Sequence, residues 1–236
     1  MRGCESHTAD YSFWDLDFTK IYHSNEKVHI LDSVRTMLSG NGILWWYPPR
    51  QRQQGTGVRG LTCYVGGSEA NKRWHSAQWA RLIVRLSEII GDETVSVISG
   101  NSLEERAELD SIHQEIQQTP SVIFPGNGTL DENIDRIARS KLLLTHDSYP
   151  IHLASLLFVP TLGLYFATDP IIWGSYHNQF HFAACTVECS GSKQGTGNCV
   201  HFHTACPNID EIKAAISVED VFSLCTAMLN GITLSP

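Results

Sequence analysis

The sequence has no run of basic residues, no repeat, no C-x2-C pair and no uninterrupted apolar stretch near the ~18 residues of a membrane-spanning helix. With a formal net charge of −8 over 236 residues, an electrostatic footprint for long nucleic acid is excluded. A single phosphate or diphosphate is not, because a helix N-terminus and one or two cations suffice to hold it. Residues 1–18, MRGCESHTADYSFWDLDF, lack the apolar centre of a secretory signal, so the chain is expected to be cytoplasmic and without a membrane span. Seven cysteines, an odd number in a chain large enough to bury a real core, exclude a complete disulfide framework. What remains, 42% hydrophobic and 18% charged residues, is the composition of an ordinary globular protein.

Residues 1–60 read as an N-terminal arm, a helix and a linker. EKVHILDSVRTMLSGNG spaces Val28, Ile30, Leu31, Val34 and Leu38 near helical periodicity and stops at Gly40 and Gly42, and the Pro/Gln/Gly tract 48–60 ends regular structure. From Leu61 the pattern changes to short β-prone runs alternating with amphipathic helical runs. The strands are expected in LTCYVGG, TVSVISG, SVIFPG, KLLLTHD and TLGLYFA. Between them, SAQWARLIVRLSEIIG places Trp79, Leu82, Ile83, Leu86, Ile89 and Ile90 on one helical face, with Ser76 as N-cap and Gly91 as stop. SLEERAELDSIHQEI opens with a Ser102-x-x-Glu105 capping box and carries Leu103, Ala107, Ile112 and Ile116 as its apolar stripe. TLDENIDRIARS and PIHLASLLF are the next helices, and NIDEIKAAIS and VEDVFSLCTAML supply one or two more near the end. Near-continuous apolar strands alternating with helices predict an α/β fold, a Rossmann-like parallel sheet covered by helices on both faces, over 61–236.

Ligands of such sheets bind beyond the carboxyl ends of the strands, where polar clusters do occur. Gly66, Gly67 and Ser68 allow a ligand near the backbone, and Lys72 or Arg73 is either a phosphate partner or a solvated cation. Glu105 is explained by the capping box, which leaves Glu104 as the acceptor for sugar hydroxyls. Asp147 or Ser148 either caps the helix beginning at Pro150 or, with His152 a turn on, borders an anion at that helix N-terminus. Thr168-Asp169-Pro170, taken by itself, is a turn. Cys185, Cys189, Cys199 and Cys206, with His201 and His203 between them, read as a zinc or iron site, as reduced thiols or as a disulfide; the C-x3-C-x9-C-x6-C spacing does not choose.

Three segments share an order with a known family. GGSEANKRWHSAQWARL follows a strand and a glycine loop, DSYPIHLASLLFVP corresponds to D-[ST]-G-x-x-H-L-A-A-A-L-x-x-P, and FATDPIIWG to G-P-T-D-P with a later glycine. From about Val28 to its end the sequence resembles the C-terminal half of family 9 glycosyltransferases, which include the lipopolysaccharide heptosyltransferases. The resemblance implies the C-terminal Rossmann-like domain of a GT-B enzyme, binding a nucleotide sugar such as ADP-heptose and passing the sugar to a glycan or lipid-linked acceptor. Carried over by position, Lys72 faces the donor phosphates and Glu104 the ribose or sugar, with Ser68 a further donor-binding residue. Asp147, Ser148 and His152 border the diphosphate and sugar, and Thr168 and Asp169 shape the wall. No cofactor is required, and no catalytic residue is assigned, because the family's general base lies in an N-terminal domain for which residues 1–60 are too few. An acceptor-domain partner chain, or a homo-oligomer, is therefore expected. Tyr149 and Phe166 stand where the family pattern has small residues. They open a second reading, a non-catalytic binding or assembly module whose donor pocket they close; in a third, a metal-held Cys/His lobe mediates partner contact.

Overall fold

The computed structural model describes residues 60–116, 119–125, 128–166, 168, 170–174, 181–183 and 208–230. The expected N-terminal arm and helix, Asp169 and the segment Cys185–Cys206 lie outside them. Among the described residues there are six strands: β1 (Leu61–Tyr64), β2 (Val95–Ile98), β3 (Val122–Ile123), β4 (Leu142–His146), β5 (Thr161–Tyr165) and β6 (His181–Ala183). They form one parallel sheet in the order β3-β2-β1-β4-β5-β6. Leu61 pairs with Val95 on one side and with Leu142 on the other, so the order reverses between β1 and β4. This reversal opens a crevice beyond the strand ends. The short β6 was not expected from the sequence.

The helices among the described residues are α1 (Ser76–Ile89), α2 (Leu103–Glu115), α3 (Leu130–Ala138), α4 (Tyr149–Leu157), α5 (Pro170–Trp173), α6 (Ile209–Ala214) and α7 (Val218–Leu229). Side chains alternate across each strand and so divide the core in two. Leu61, Cys63, Val65, Val95, Val97, Leu142, Leu144, Leu162 and Leu164 pack with Trp79, Leu82, Ile83 and Leu86 of α1, Leu109 and Ile112 of α2, and Val221 and Cys225 of α7. Tyr64, Ile98 and Leu143 pack with Ile137, Ala154 and Val159 in the other cluster. Each fully buried aliphatic chain contributes about 1.5–3 kcal/mol by leaving water. Burial raises the thiol of Cys63 and pushes Cys225 up to about 12, so both are inert, apolar fillers.

Several local expectations need correction. Leu103 is 79% exposed and Ala107 is also exposed, while Leu109 joins Ile112 and Ile116 in the buried stripe of α2. Ile89 is 43% exposed, while Leu86 and Ile90 on either side of it keep the core contact of the last turn of α1. Helix α1 takes His75 rather than Ser76 as N-cap, and no side chain caps it. The Ser102–Glu105 capping box is present, and Thr129 and Glu132 form a second one on α3. The C-terminal helices dock on α1 and the residues just before it: Trp74 Nε1 donates to Lys213 O at 3.1 Å and Gln78 Nε2 to Ile216 O at 3.2 Å. The Arg85 guanidinium stands 3.9 Å over the Phe222 ring and pairs with Glu219.

Candidate functional site

Beyond the carboxyl ends of β1, β2 and β4 lies a cavity of about 350 Å³. Tyr64 and Ser68 line it from the end of β1, and Gly100, Asn101 and Glu105 from the start of α2. Gly128, Leu130 and Asn133 line it from α3, and Ser148 and Tyr149 from α4. The floor is tight. A Cβ on Gly66 would lie 2.9 Å from Gly100 N and 2.4 Å from Glu105 Oε1, so these loops meet only because position 66 is glycine. The Tyr64 hydroxyl donates to Glu105 Oε1 at 3.3 Å, and burial followed by the Glu105 charge raises its pKa, which keeps it protonated.

Glu105, read from sequence as a cap alone, both caps α2 and lines the cavity. Glu104 is on the exposed first turn and does not line it. Its carboxyl is held below its usual range by a backbone hydrogen bond, then by Ser102. Tyr149 is 40% exposed, meets Tyr64 edge to face at 5.4 Å and forms one wall of the cavity without filling it. Phe166 is absent from that wall: it is 1% exposed and packs in the core beside His146. Of the two residues expected to close a pocket, one is a side wall and the other points inward.

Asp147 does not cap α4. Its Oδ2 accepts the Thr168 hydroxyl at 2.6 Å and pairs with Lys72 Nζ at 3.0 Å, with all three side chains largely withdrawn from solvent. Ser148 occupies the N-cap position but makes no capping bond, Tyr149 and Pro150 begin the helix, and His152 is half-buried on its first turn. The start of α4 thus has no cap from the Ser148 side chain, and the Ile151 amide donates to Ser148 O at 3.1 Å; the positive end of the helix faces the cavity that Ser148 and Tyr149 line. Glu105, Asn101 and Asn133 supply acceptors and donors for hydroxyl groups. The structure therefore brings Ser68, Ser148 and the Lys72–Asp147–Thr168 group to one strand edge.

Sequence reasoning missed His146. Its ring is fully buried; Trp74 N and Trp79 Nε1 donate to Nε2 at 2.8 and 3.0 Å, and Nδ1 donates to Gly66 O at 3.1 Å. Burial lowers its pKa to about 3, with Lys213 and Arg73 adding in the same direction. The available signal was parity: His146 continues the series Leu142, Leu144 that faces α1. Among the described residues no group of three His, Cys, Asp or Glu gathers to hold a metal, and no helix is long and apolar enough to cross a membrane.

Comparison with known proteins bears on the fold and the family. The chain is 27% identical over 186 residues to lipopolysaccharide heptosyltransferase 3 of Escherichia coli, covering 73% of this chain and 54% of that one. It spans about half the length of that curated relative. A family 9 glycosyltransferase structure from Veillonella parvula superposes with a TM-score of 0.63 at 18% identity, over 88% of this chain and 62% of the other. The E. coli heptosyltransferase WaaC with ADP superposes with a TM-score of 0.60 at 16% identity, over 86% and 57%. At such identities the superpositions establish a shared fold, that of GT-B heptosyltransferases. The sequence profile of glycosyltransferase family 9 (heptosyltransferase) matches residues 52–200, and the chain belongs to that family.

Proposed function

We propose that this chain is the donor-binding part of a glycosyltransferase, holding a nucleoside-diphosphate sugar of the ADP-heptose kind for transfer to a glycan or lipid-linked acceptor in lipopolysaccharide synthesis. The observation that supports the reading is the cavity at the β1/β4 reversal, lined by Ser68, Glu105 and Ser148 at the start of α4, with the Lys72–Asp147 pair at the ends of the neighbouring strands. In this reading Lys72 and the α4 amides bind the diphosphate; Ser68, Ser148 and His152 border it. Glu105, rather than Glu104, meets a ribose or sugar hydroxyl, and Asp147 holds Lys72 with Thr168 behind it. Asp169 remains a proposed wall residue. Asp147 is engaged by Lys72 and Thr168, and Glu105 by the α2 cap and Tyr64, so neither is assigned as the base for the acceptor hydroxyl; in this reading a partner surface carries it, in a cytoplasmic setting where nucleotide sugars occur. No cofactor takes part. A structural zinc or iron at Cys185, Cys189, Cys199 and Cys206 is a separate proposal, checked by elemental analysis of the purified protein.

Calorimetric titration with ADP, UDP and GDP, free and sugar-linked, tests the reading. ADP species are expected to bind, and Lys72→Ala to weaken them about tenfold, the loss of one charge-assisted phosphate contact. Absence of binding at millimolar ligand overturns the donor-site reading. Binding without turnover in the presence of acceptor favours the non-catalytic module.

A further inference from the structure

We infer that His146 is a positioning residue: one imidazole pins both ends of the loop that carries Ser68 and Lys72, and so sets where Lys72 stands against Asp147 at the strand ends. The inference rests on the donor-site reading only for what Lys72 meets there. The chain leaves β1 at Gly66 and reaches α1 just after Trp74. Gly66 O accepts from Nδ1 at 3.1 Å, while Trp74 N donates to Nε2 at 2.8 Å. The two ends of this loop are therefore tied to opposite edges of one ring. Between them the chain passes Ser68, a 3-10 turn over Ala70–Lys72, and Arg73, whose Nη1 donates to Gly67 O at 2.9 Å.

Donor and acceptor chemistry fixes the proton. The Trp74 amide and the Trp79 indole can only donate, so Nε2 is the unprotonated nitrogen. Gly66 O can only accept, so Nδ1 carries the hydrogen. The ring is held edge-on by Trp79 at 5.1 Å and by Phe166 at 6.1 Å, which leaves it one orientation. The next residue, Asp147, takes the Lys72 ammonium at 3.0 Å. Successive residues at the end of β4 thus hold the loop's backbone and its cation. A packing role alone needs no three hydrogen bonds at a fully buried position, where every polar group costs desolvation.

Two substitutions separate the halves of the pin. His146→Asn keeps a donor near Nδ1, and His146→Gln reaches the Nε2 position with an acceptor. In both, hydrogen exchange is expected to accelerate in residues 66–74 and to stay unchanged in β2 and α2. ADP affinity is expected to fall about tenfold with Lys72 present, and scarcely further in the Lys72→Ala background, since residues acting through one another are not additive. Unchanged loop exchange in a folded variant, or an equal loss of affinity without Lys72, overturns the inference. If neither variant folds, nitrogen-15 shifts of the wild-type ring decide: an Nδ1–H neutral tautomer supports the pin, and an Nε2–H tautomer or imidazolium refutes it. Wild-type protein that binds no ADP removes the donor-site reading, and the exchange and tautomer results then decide the pin by themselves.

Discussion

The carboxylate of Asp147 is 5% exposed, and a buried charge is tolerated only with partners that replace water. Lys72 supplies the opposite charge and Thr168 a short hydrogen bond of 2.6 Å. Thr168→Val keeps the volume and removes the donor. It is expected to lower the unfolding free energy at pH 7 by about 1.5–3 kcal/mol, the range for a hydrogen bond to a charged group. Urea titration measures it, and a change under about 0.5 kcal/mol would show that the hydroxyl contributes nothing net. Asp147 and Thr168 were both visible in the sequence as polar residues at strand ends. Their pairing was not, because it depends on β4 and β5 being adjacent with His146 opposite Leu164.

At the scale of elements, the start of α2 joins a helix cap to the cavity floor. Ser102 Oγ accepts from Glu105 N at 3.2 Å, and Glu105 Oε2 accepts from Ser102 N at 3.3 Å. A Cβ on Gly100 would lie 2.1 Å from Glu105 Oε2, so an alanine there displaces the carboxylate and breaks the reciprocal cap. Gly100→Ala is expected to cost about 1 kcal/mol, as a lost cap does, and to reshape the cavity wall. Thermal melts of Gly100→Ala beside Ser102→Ala check this, because the two are expected to be similar; a neutral Gly100→Ala refutes it. The S-x-x-E pattern made the cap readable. Periodicity identified the buried face of α1, but at the edge of that face it could not choose between Ile89 and Ile90: both were placed inside, and Ile89 stands outside.

For the molecule as a whole, His146 couples stability to pH. Its pKa falls from the ordinary 6.5 to about 3 because it is buried, with Lys213 and Arg73 nearby. Between those values the unfolded chain binds the proton and the native chain does not. The stabilisation is therefore complete above about pH 6.5 and is lost as pH falls toward 3, with a slope approaching about 1.4 kcal/mol per pH unit from this group. Wild-type protein is expected to melt at progressively lower temperature from pH 6.5 to 4, and His146→Gln, which cannot titrate, to show a shallower dependence. Equal slopes would remove His146 as the source.

The amino-acid sequence by itself determined the kinds of element, their alternation, the parallel sheet covered on both faces, and a row of polar clusters at strand ends. Apolar period, glycine and capping signals are local, and each acts within a few residues of itself. Only the tertiary structure decided that β1 and β4 are neighbours, that Lys72 meets Asp147, that Glu105 rather than Glu104 lines the cavity, and that Phe166 turns inward. Those facts follow from strand order and from the face each strand residue presents, which are set by pairings between residues far apart in the chain. The imidazole of His146 shows the division most plainly: its place at the end of an apolar strand was in the sequence, and its three partners came from the fold.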